Sequence, residues 1–234
     1  MKNLLILLLG VILLACREMP PPENDPVDIN PTPDESITYL ALGDSYTIGE
    51  SVPVNQRWPV QLADSLKAAG LKVEAPEIIA RTGWTTNELA QAIESAELAE
   101  TYDLVSLLIG VNNQYRGYPF EQYEKEFTEL IETALQFAGQ DTEKVFVLSI
   151  PDYGVTPFGQ TRNPEKIAEE LDAYNAKALE ICEQYGIAFF DITPISREAL
   201  NGPELVASDG LHPSGEMYRR WVELIFEEVK GKLK

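Results

Sequence analysis

Short apolar runs alternate along the chain with longer segments that are apolar on one face only. Five runs of strand length, rich in Leu, Ile and Val, occupy residues 37–45, 72–80, 103–109, 144–150 and 187–192. Runs this short are typical of buried strands, whereas a helix shows a longer repeat at three- and four-residue spacing. A proline at position 76 interrupts the second run. The pattern therefore predicts about five strands.

Helical periodicity fills the gaps between these runs. It covers residues 58–69, 85–98, 120–138, 165–185 and the chain from 214 onward. Thr85 and Glu88 form a capping-box pattern at the start of the second helix. Cys182 falls on the apolar face of the fourth helix, which predicts a buried small hydrophobe. Alternating strands and helices predict an α/β fold, a three-layer α/β/α sandwich with a mostly parallel sheet.

The N-terminal residues have the pattern of an export signal. Lys2 precedes an apolar core of signal-peptide length that is too short for a comfortable membrane span. Leu13-Leu14-Ala15-Cys16 resembles the bacterial lipobox, so residues 1–15 are predicted to be a lipoprotein signal peptide and Cys16 to be acylated. The alternative is an ordinary secretory signal with an incidental cysteine. We therefore expect a lipid-anchored protein of the bacterial cell envelope, at the outer membrane or facing the periplasm.

A proline-rich segment separates this signal from the rest of the chain. Residues 16–35 contain many prolines and few apolar side chains, a composition that predicts an extended tether. Residues 36–234 then form one folded domain, since about 200 residues with ordinary apolar content suffice for a single core.

Charge and cysteine content exclude several classes of partner. The chain has 18 basic and 38 acidic residues, a net charge of −20, so nucleic acid and anionic membrane surfaces should repel it. Two cysteines and one histidine provide neither a disulfide framework nor a His/Cys metal cluster. No cofactor and no metal are expected.

The first candidate catalytic residue lies where the first strand ends, in Gly43-Asp44-Ser45. A hydroxyl at the carboxyl edge of a parallel sheet is well placed to be a nucleophile, although such turns also occur where no chemistry is done. Near the other end of the chain, Asp209 precedes His212, the one histidine, by three residues. A serine nucleophile needs a base, and a carboxylate orients that base. The alternative for His212 is a polar residue that caps the last helix.

Four separated blocks, in order, resemble those of the SGNH hydrolases, also called the GDSL esterase and lipase family. They are Gly43-Asp44-Ser45, the glycine block around Gly83, the Gly110-Val-Asn112-Asn113 segment and Asp209-Gly-Leu-His212-Pro. The resemblance extends over residues 37–231, with Asn113 in place of the family's aspartate. We expect this departure to affect the packing of the loop more than catalysis.

The resemblance implies a role for each matched residue. Ser45, His212 and Asp209 would form the catalytic triad, and Ser45, Gly83 and Asn112 would donate to the oxyanion. Two of these residues have a purely structural alternative. Gly83 would form the turn that enters the next helix, and Asn112 would be a polar residue of the loop.

The implied function is hydrolysis of carboxylic esters, with lipid acyl esters or acetylated glycans as small-molecule or glycan substrates. The alternatives left open are a thioesterase and a membrane-tethered binding protein that has the fold without turnover. Six aromatic residues in the predicted loops could line an acyl pocket: Trp58, Trp84, Tyr115, Tyr118, Tyr153 and Phe158.

Overall fold

The computed structural model describes residues 36–233. In this part of the chain the strands are β1 (Tyr39–Gly43), β2 (Glu77–Ala80), β3 (Leu104–Leu108), β4 (Val145–Leu148) and β5 (Ala188–Phe190). All neighbouring strands pair in parallel, in the order β2-β1-β3-β4-β5. The prediction of a three-layer α/β fold with a mostly parallel sheet of about five strands is confirmed.

Helices cover both faces of this sheet. They are α1 (Ser45–Ile48), α2 (Trp58–Ala68), α3 (Thr86–Ser95), α4 (Val111–Tyr115), α5 (Phe120–Phe137), α6 (Pro157–Gln160), α7 (Pro164–Tyr185), α8 (Thr193–Arg197) and α9 (Gly215–Lys232). Helix α2 packs on α9, while α5 packs on α3 and α7. Crossovers between parallel strands are right-handed, so α2 and α9 lie on one face of the sheet and α3, α5 and α7 lie on the other.

The reversal of strand order places the ends of two central strands side by side. From β1 the chain moves outward to β2, then returns past β1 to β3, and Gly43 pairs with Leu108 where β1 and β3 end. Connections that leave neighbouring strands toward opposite faces open a crevice at the carboxyl edge of the sheet. The segments after β1 and β3 therefore border the same crevice.

The core lies between the sheet and its two helix layers. Every residue of β1, β3 and β4 is buried, as expected for strands covered on both faces. Cys182 is fully buried, and burial raises the pKa of its thiol to about 12, which confirms its interpretation as a small hydrophobe. Trp58, one of the aromatic residues considered for the pocket, begins α2 as the periodicity predicted, but it is fully buried in the core and does not line the cavity described below.

Several boundaries differ from those predicted. Helices α1, α4, α6 and α8 contain only four or five residues each, too few for a periodic pattern to be recognised. Strand β2 begins after Pro76, and the residues before it contribute a single bridge between Val73 and Ile37. A proline lacks the N–H that a continuous strand ladder requires.

The predicted signal peptide (1–15), the lipidation site Cys16 and the tether (16–35) lie outside the described residues. Within residues 36–233, no helix combines the length and apolar character needed to cross a membrane.

Candidate active site

The ends of three strands and the loop before α9 meet at one cavity of about 230 Å³. Ser45 follows β1, Gly83 follows β2, Asn112 follows β3, and His212 comes from the last loop; all four line the cavity. The remaining lining side chains are largely apolar or aromatic: Tyr46, Val111, Tyr115, Tyr153, Phe158 and Leu211, together with Thr82. Residues that are up to 167 positions apart in the sequence thus border one space.

Ser45 is the first residue of α1, directly after the tight turn at Gly43 and Asp44. A Cβ on Gly43 would come within 2.2 Å of Thr47 Oγ1 and 2.5 Å of the Leu108 carbonyl oxygen, so only glycine lets β1 lie this close to its neighbours. Although Ser45 lies at the edge of the sheet, only 5 % of its surface is accessible. The reason is that helix α1 begins immediately after the strand and places the serine in the wall of the cavity.

His212 and Asp209 form a close pair. The distance between His212 Nδ1 and Asp209 Oδ2 is 2.6 Å, and Asp209 Oδ1 accepts hydrogen bonds from the N–H groups of Leu211 and His212. Burial raises the pKa of Asp209, but the hydrogen bonds it accepts outweigh burial and hold the pKa well below its ordinary value. Asp209 is therefore an ionised carboxylate that orients the ring, and Nε2 is the ring nitrogen left for other chemistry.

A further contact to Asp209 was not foreseen from the sequence. Ser51 Oγ donates to Asp209 Oδ2 over 2.7 Å, although the two residues are 158 positions apart. Ser51 has a φ of +64°, in the left-handed region that serine rarely adopts. No local pattern marks this residue, because its importance depends on a contact made by the tertiary fold.

Asn112 and Gly83 also line the cavity, and the turn that contains Gly83 and Trp84 accepts hydrogen bonds from two side chains. Asn112 Nδ2 donates one N–H to the Trp84 carbonyl oxygen over 2.9 Å, which fixes the orientation of the amide. Gly83 has a φ of +86°, a conformation for which glycine is suited. Arg116, which was not singled out from the sequence, donates from Nη2 to the Gly83 carbonyl oxygen and pairs with Glu88 over 3.2 Å. Asn112 of α4 and Arg116, which directly follows α4, thus hold the turn around Gly83.

Asn113 is fully buried and does not line the cavity. Its Oδ1 accepts from the Thr86 N–H over 3.0 Å, and its Nδ2 donates to Thr86 Oγ1 over 2.7 Å. An amide supplies both an acceptor and a donor here, whereas an ionised aspartate supplies only acceptors. Asn113 therefore joins the loop after β3 to the start of α3, in agreement with the expectation that this position concerns loop packing.

Of the six aromatic residues considered, three line the cavity. Tyr115, Tyr153 and Phe158 form a group in which ring centroids lie 6.1 to 6.3 Å apart. Trp84 contributes its carbonyl group rather than its ring to the Asn112 contact, and Tyr118 does not line the cavity. The three rings give one side of the cavity an apolar wall.

Asp44 is a buried carboxylate beside the candidate nucleophile. Its Oδ1 accepts from the Tyr46 N–H over 3.0 Å, while Oδ2 has no hydrogen-bond partner within residues 36–233. Burial raises the pKa of Asp44 from 3.8 to about 7, and the hydrogen bond from Tyr46 opposes this only in part. In the unfolded chain Asp44 loses its proton near its ordinary pKa. In the folded protein Asp44 keeps this proton up to nearly neutral pH.

This shift predicts a pH-dependent stability. Between pH 3.8 and about 7 the folded state binds a proton at Asp44 that the unfolded state releases, so stability falls as pH rises through this range. The contribution should approach about 1.4 kcal/mol per pH unit. In Asp44→Asn it should vanish, so urea unfolding of both proteins at several pH values should show the variant gaining stability relative to the wild type as pH rises. Asp64→Asn, at an exposed position, is the control, and an unchanged slope in Asp44→Asn would contradict the prediction.

Comparison with known proteins identifies relatives over the same region. The model of the GDSL-like Lipase/Acylhydrolase family matches residues 41–220. An arylesterase of Vibrio mimicus is 24% identical over 207 residues, covering 83% of this chain and 88% of the relative. Among solved structures, a lipolytic protein of the G-D-S-L family from Veillonella parvula has a TM-score of 0.66 at 17% identity, covering 82% of this chain and 97% of that one. Axe2, an acetylxylan esterase from Geobacillus stearothermophilus, has a TM-score of 0.64 at 20% identity, with 82% and 94% covered.

These structural neighbours share the fold, and the family model spans most of the described domain, including the serine, glycine, asparagine and histidine positions that line the cavity. The chain belongs to the GDSL-like lipase and acylhydrolase family.

Proposed function

We propose that this member of the family is a serine hydrolase of carboxylic esters in which Ser45 is the nucleophile, His212 the general base and Asp209 the residue that orients His212. The observation that supports this most directly is the meeting of Ser45, Asn112 and His212 at one cavity, with His212 Nδ1 2.6 Å from Asp209 Oδ2. This geometry leaves Nε2 of the ring as the atom that accepts the serine proton.

The reaction would proceed in two halves. Ser45 Oγ attacks the ester carbonyl carbon while His212 takes the hydroxyl proton, and the tetrahedral intermediate collapses when His212 returns that proton to the departing alcohol. Water, deprotonated by His212, then attacks the acyl group on Ser45. A second tetrahedral intermediate releases the acid and regenerates the serine hydroxyl.

The oxyanion formed in both halves requires donors that are already in place. The N–H of Ser45 stands at the first position of α1, where a helix offers it no internal acceptor. The second N–H of the Asn112 amide and the N–H of Gly83 would complete the set, since Asn112 and the Gly83 turn are both held by hydrogen bonds. Donors fixed before the reaction stabilise developing charge without reorganisation.

The cavity favours esters with a compact or flat apolar group. Its volume of about 230 Å³ and its wall of Tyr115, Tyr153 and Phe158 suit a short acyl chain or an aromatic ring. The name of the arylesterase relative agrees with an aromatic group in the ester, and that of the acetylxylan esterase agrees with a short acyl group. We further propose, from the lipobox pattern, that Cys16 is acylated and anchors the enzyme at the cell envelope, where acetylated glycans and lipid esters are available.

Turnover of p-nitrophenyl acetate and butyrate by the purified protein tests this function. We expect hydrolysis of both, with saturation kinetics, and a panel of acyl-chain lengths, acetylated sugars and acyl thioesters would then define the preferred class. Absence of hydrolysis by folded protein would favour a tethered binding protein instead.

Removal of the Asn112 amide tests the oxyanion donors. Asn112→Ala should lower kcat by roughly 10² to 10³ with little change in KM, because the lost hydrogen bond strengthens only as negative charge develops. Asn113→Ala is the matched neighbour: it should lower the melting temperature, because its loss leaves buried Thr86 groups unpaired, and should leave kcat of the folded fraction nearly unchanged. A larger loss of kcat in Asn113→Ala would reverse the two assignments.

Ser51 offers a test of how Asp209 is held. Ser51→Gly removes the hydroxyl but accepts a φ of +64°, so it should fold normally and lose roughly 3- to 10-fold in kcat/KM, the net value of a typical hydrogen bond at an exposed position. Ser51→Asn also tolerates the left-handed region and supplies an N–H donor, so it should recover much of the rate. Equal rates for the glycine and asparagine variants would show that the donor does not matter.

A further inference from the structure

A second groove, of about 480 Å³, adjoins the cavity that contains Ser45. Tyr115 and Tyr153 line both spaces, so the groove continues from the cavity across this pair of rings. Half of the surface of Tyr115 is accessible, which places its ring at the boundary rather than in the core. A substrate held at Ser45 can therefore extend into the groove.

The charge of the groove is opposite to that of the whole protein. Acidic residues outnumber basic ones 38 to 18 in the chain. The groove, in contrast, is lined by Arg116, Arg162 and Lys166 with Glu170 as its one acidic residue. Glu170 is already engaged, since it pairs with Lys166 over 3.4 Å and accepts a hydrogen bond from Gln114 over 2.7 Å. Arg116 in turn pairs with Glu88 over 3.2 Å, so among the residues that the structure describes Arg162 is the cation of this lining without a carboxylate partner, and the lining as a whole carries more positive than negative side chains on a strongly acidic molecule.

Arg162 is held in place without a carboxylate. Its guanidinium lies 3.4 Å from the centroid of the Phe158 ring, and Nη1 donates to the Phe158 carbonyl oxygen over 2.7 Å and to Thr161 Oγ1 over 3.1 Å. Within residues 36–233 no acidic group pairs with it, whereas Arg197 and Arg219 each pair with two carboxylates. Two neutral acceptors and a ring fix the guanidinium, and the donors on Nε and Nη2 remain for an anion.

We propose that this groove is a subsite for an anionic group, a carboxylate or a phosphate, carried by the ester substrate. Arg162 supplies the main hydrogen bonds, because a guanidinium matches the oxygens of both anions in a two-pronged arrangement. Lys166 adds charge, and the apolar part of the same substrate lies against Tyr115, Tyr153 and Phe158. The inference rests on the proposed esterase function and narrows its substrate class to esters with a negative charge beyond the aromatic wall.

Matched esters that differ only in charge test this subsite in the full-length protein. The probes are 4-acetoxybenzoate and 4-acetoxyphenyl phosphate against neutral methyl 4-acetoxybenzoate, for an anion on the alcohol side. Mono-4-nitrophenyl succinate against 4-nitrophenyl butyrate places the anion on the acyl side. Arg162→Gln should lower kcat/KM by roughly 10-fold or more for at least one anionic probe, as for a hydrogen bond between charged groups, and by less than about 2-fold for its neutral partner.

Two controls complete the experiment. Lys125→Gln removes an exposed cation that pairs with Glu129 on α5 outside the groove, and it should leave the ratio of anionic to neutral rates unchanged. In the Ser45→Ala background, calorimetry should show the same Arg162-dependent difference in the binding of 4-acetoxybenzoate or 4-acetoxyphenyl phosphate, without any turnover.

Equal losses for charged and neutral probes, or no loss for either, would overturn the subsite while leaving the esterase function intact. If no ester is hydrolysed, the proposed function fails, and the calorimetric arm still decides whether the groove binds anions. Phosphate and carboxylate probes that respond differently would identify which of the two anions the groove prefers.

Discussion

Ser45→Ala is expected to reduce ester hydrolysis by roughly 10⁶-fold in kcat, close to the background of the assay. The substitution removes the atom that forms the covalent bond to the acyl group, and the hydroxyl of Thr47, two residues away, does not replace it because Thr47 is fully buried. The fold should survive. The side chain that caps α1 belongs to Asp44, and alanine is a good helix former, so the melting temperature should stay within about 2 °C of wild type.

Chemical labelling makes this test independent of the substrate. A fluorophosphonate probe should modify the wild-type protein once and should leave Ser45→Ala unmodified. Ser95→Ala, which changes an exposed serine near the end of α3, should behave as wild type in both labelling and hydrolysis. Full activity in Ser45→Ala would remove Ser45 from the mechanism.

Asp209→Asn is expected to reduce kcat by roughly 10⁴-fold while leaving the loop folded, as when the orienting carboxylate of a serine hydrolase is replaced. Asparagine keeps an oxygen to accept the N–H groups of Leu211 and His212. Its amide nitrogen then faces His212 Nδ1 and donates to it. The ring proton must move to Nε2, and His212 can no longer accept the proton of Ser45.

NMR can show directly which ring nitrogen of His212 carries the proton. His212 is the one histidine, so its ring gives a single set of nitrogen signals in NMR spectra. The wild type should show the proton on Nδ1 and Asp209→Asn should show it on Nε2. An active variant, or an inactive one with its proton still on Nδ1, would contradict the role assigned to Asp209.

Local pattern was sufficient to predict the positions of the main elements. The core strands coincide with continuous apolar runs because both of their faces are covered, and the long helices α5 and α7 were recognised from their apolar stripes. The geometry of the sheet also allowed the site candidates to be chosen from the residues at strand ends. In a parallel sheet every strand ends at the same edge, so Ser45, Gly83 and Asn112 had to lie near one another.

Long-range contacts determined the rest. The pairing of Ser51 with Asp209, the hydrogen bond from Arg116 to Gly83 and the near burial of Ser45 depend on how separate segments meet. None of these three features is marked by the periodicity or the composition of the sequence. Likewise, Trp58 and Phe158 were both candidates for the wall of the pocket, yet one lies in the core and the other lines the cavity.

The sequence by itself determined the α/β architecture, the family and the residues proposed for catalysis, because strand and helix periodicities and short blocks at strand ends are local properties. The assignments at residues 1–35 remain predictions, as do the catalytic roles. Only the tertiary structure decided the shape of the cavity, the orientation of Asn112 and the positive groove beside Tyr115, because each depends on side chains from several elements whose distances the chain order does not specify.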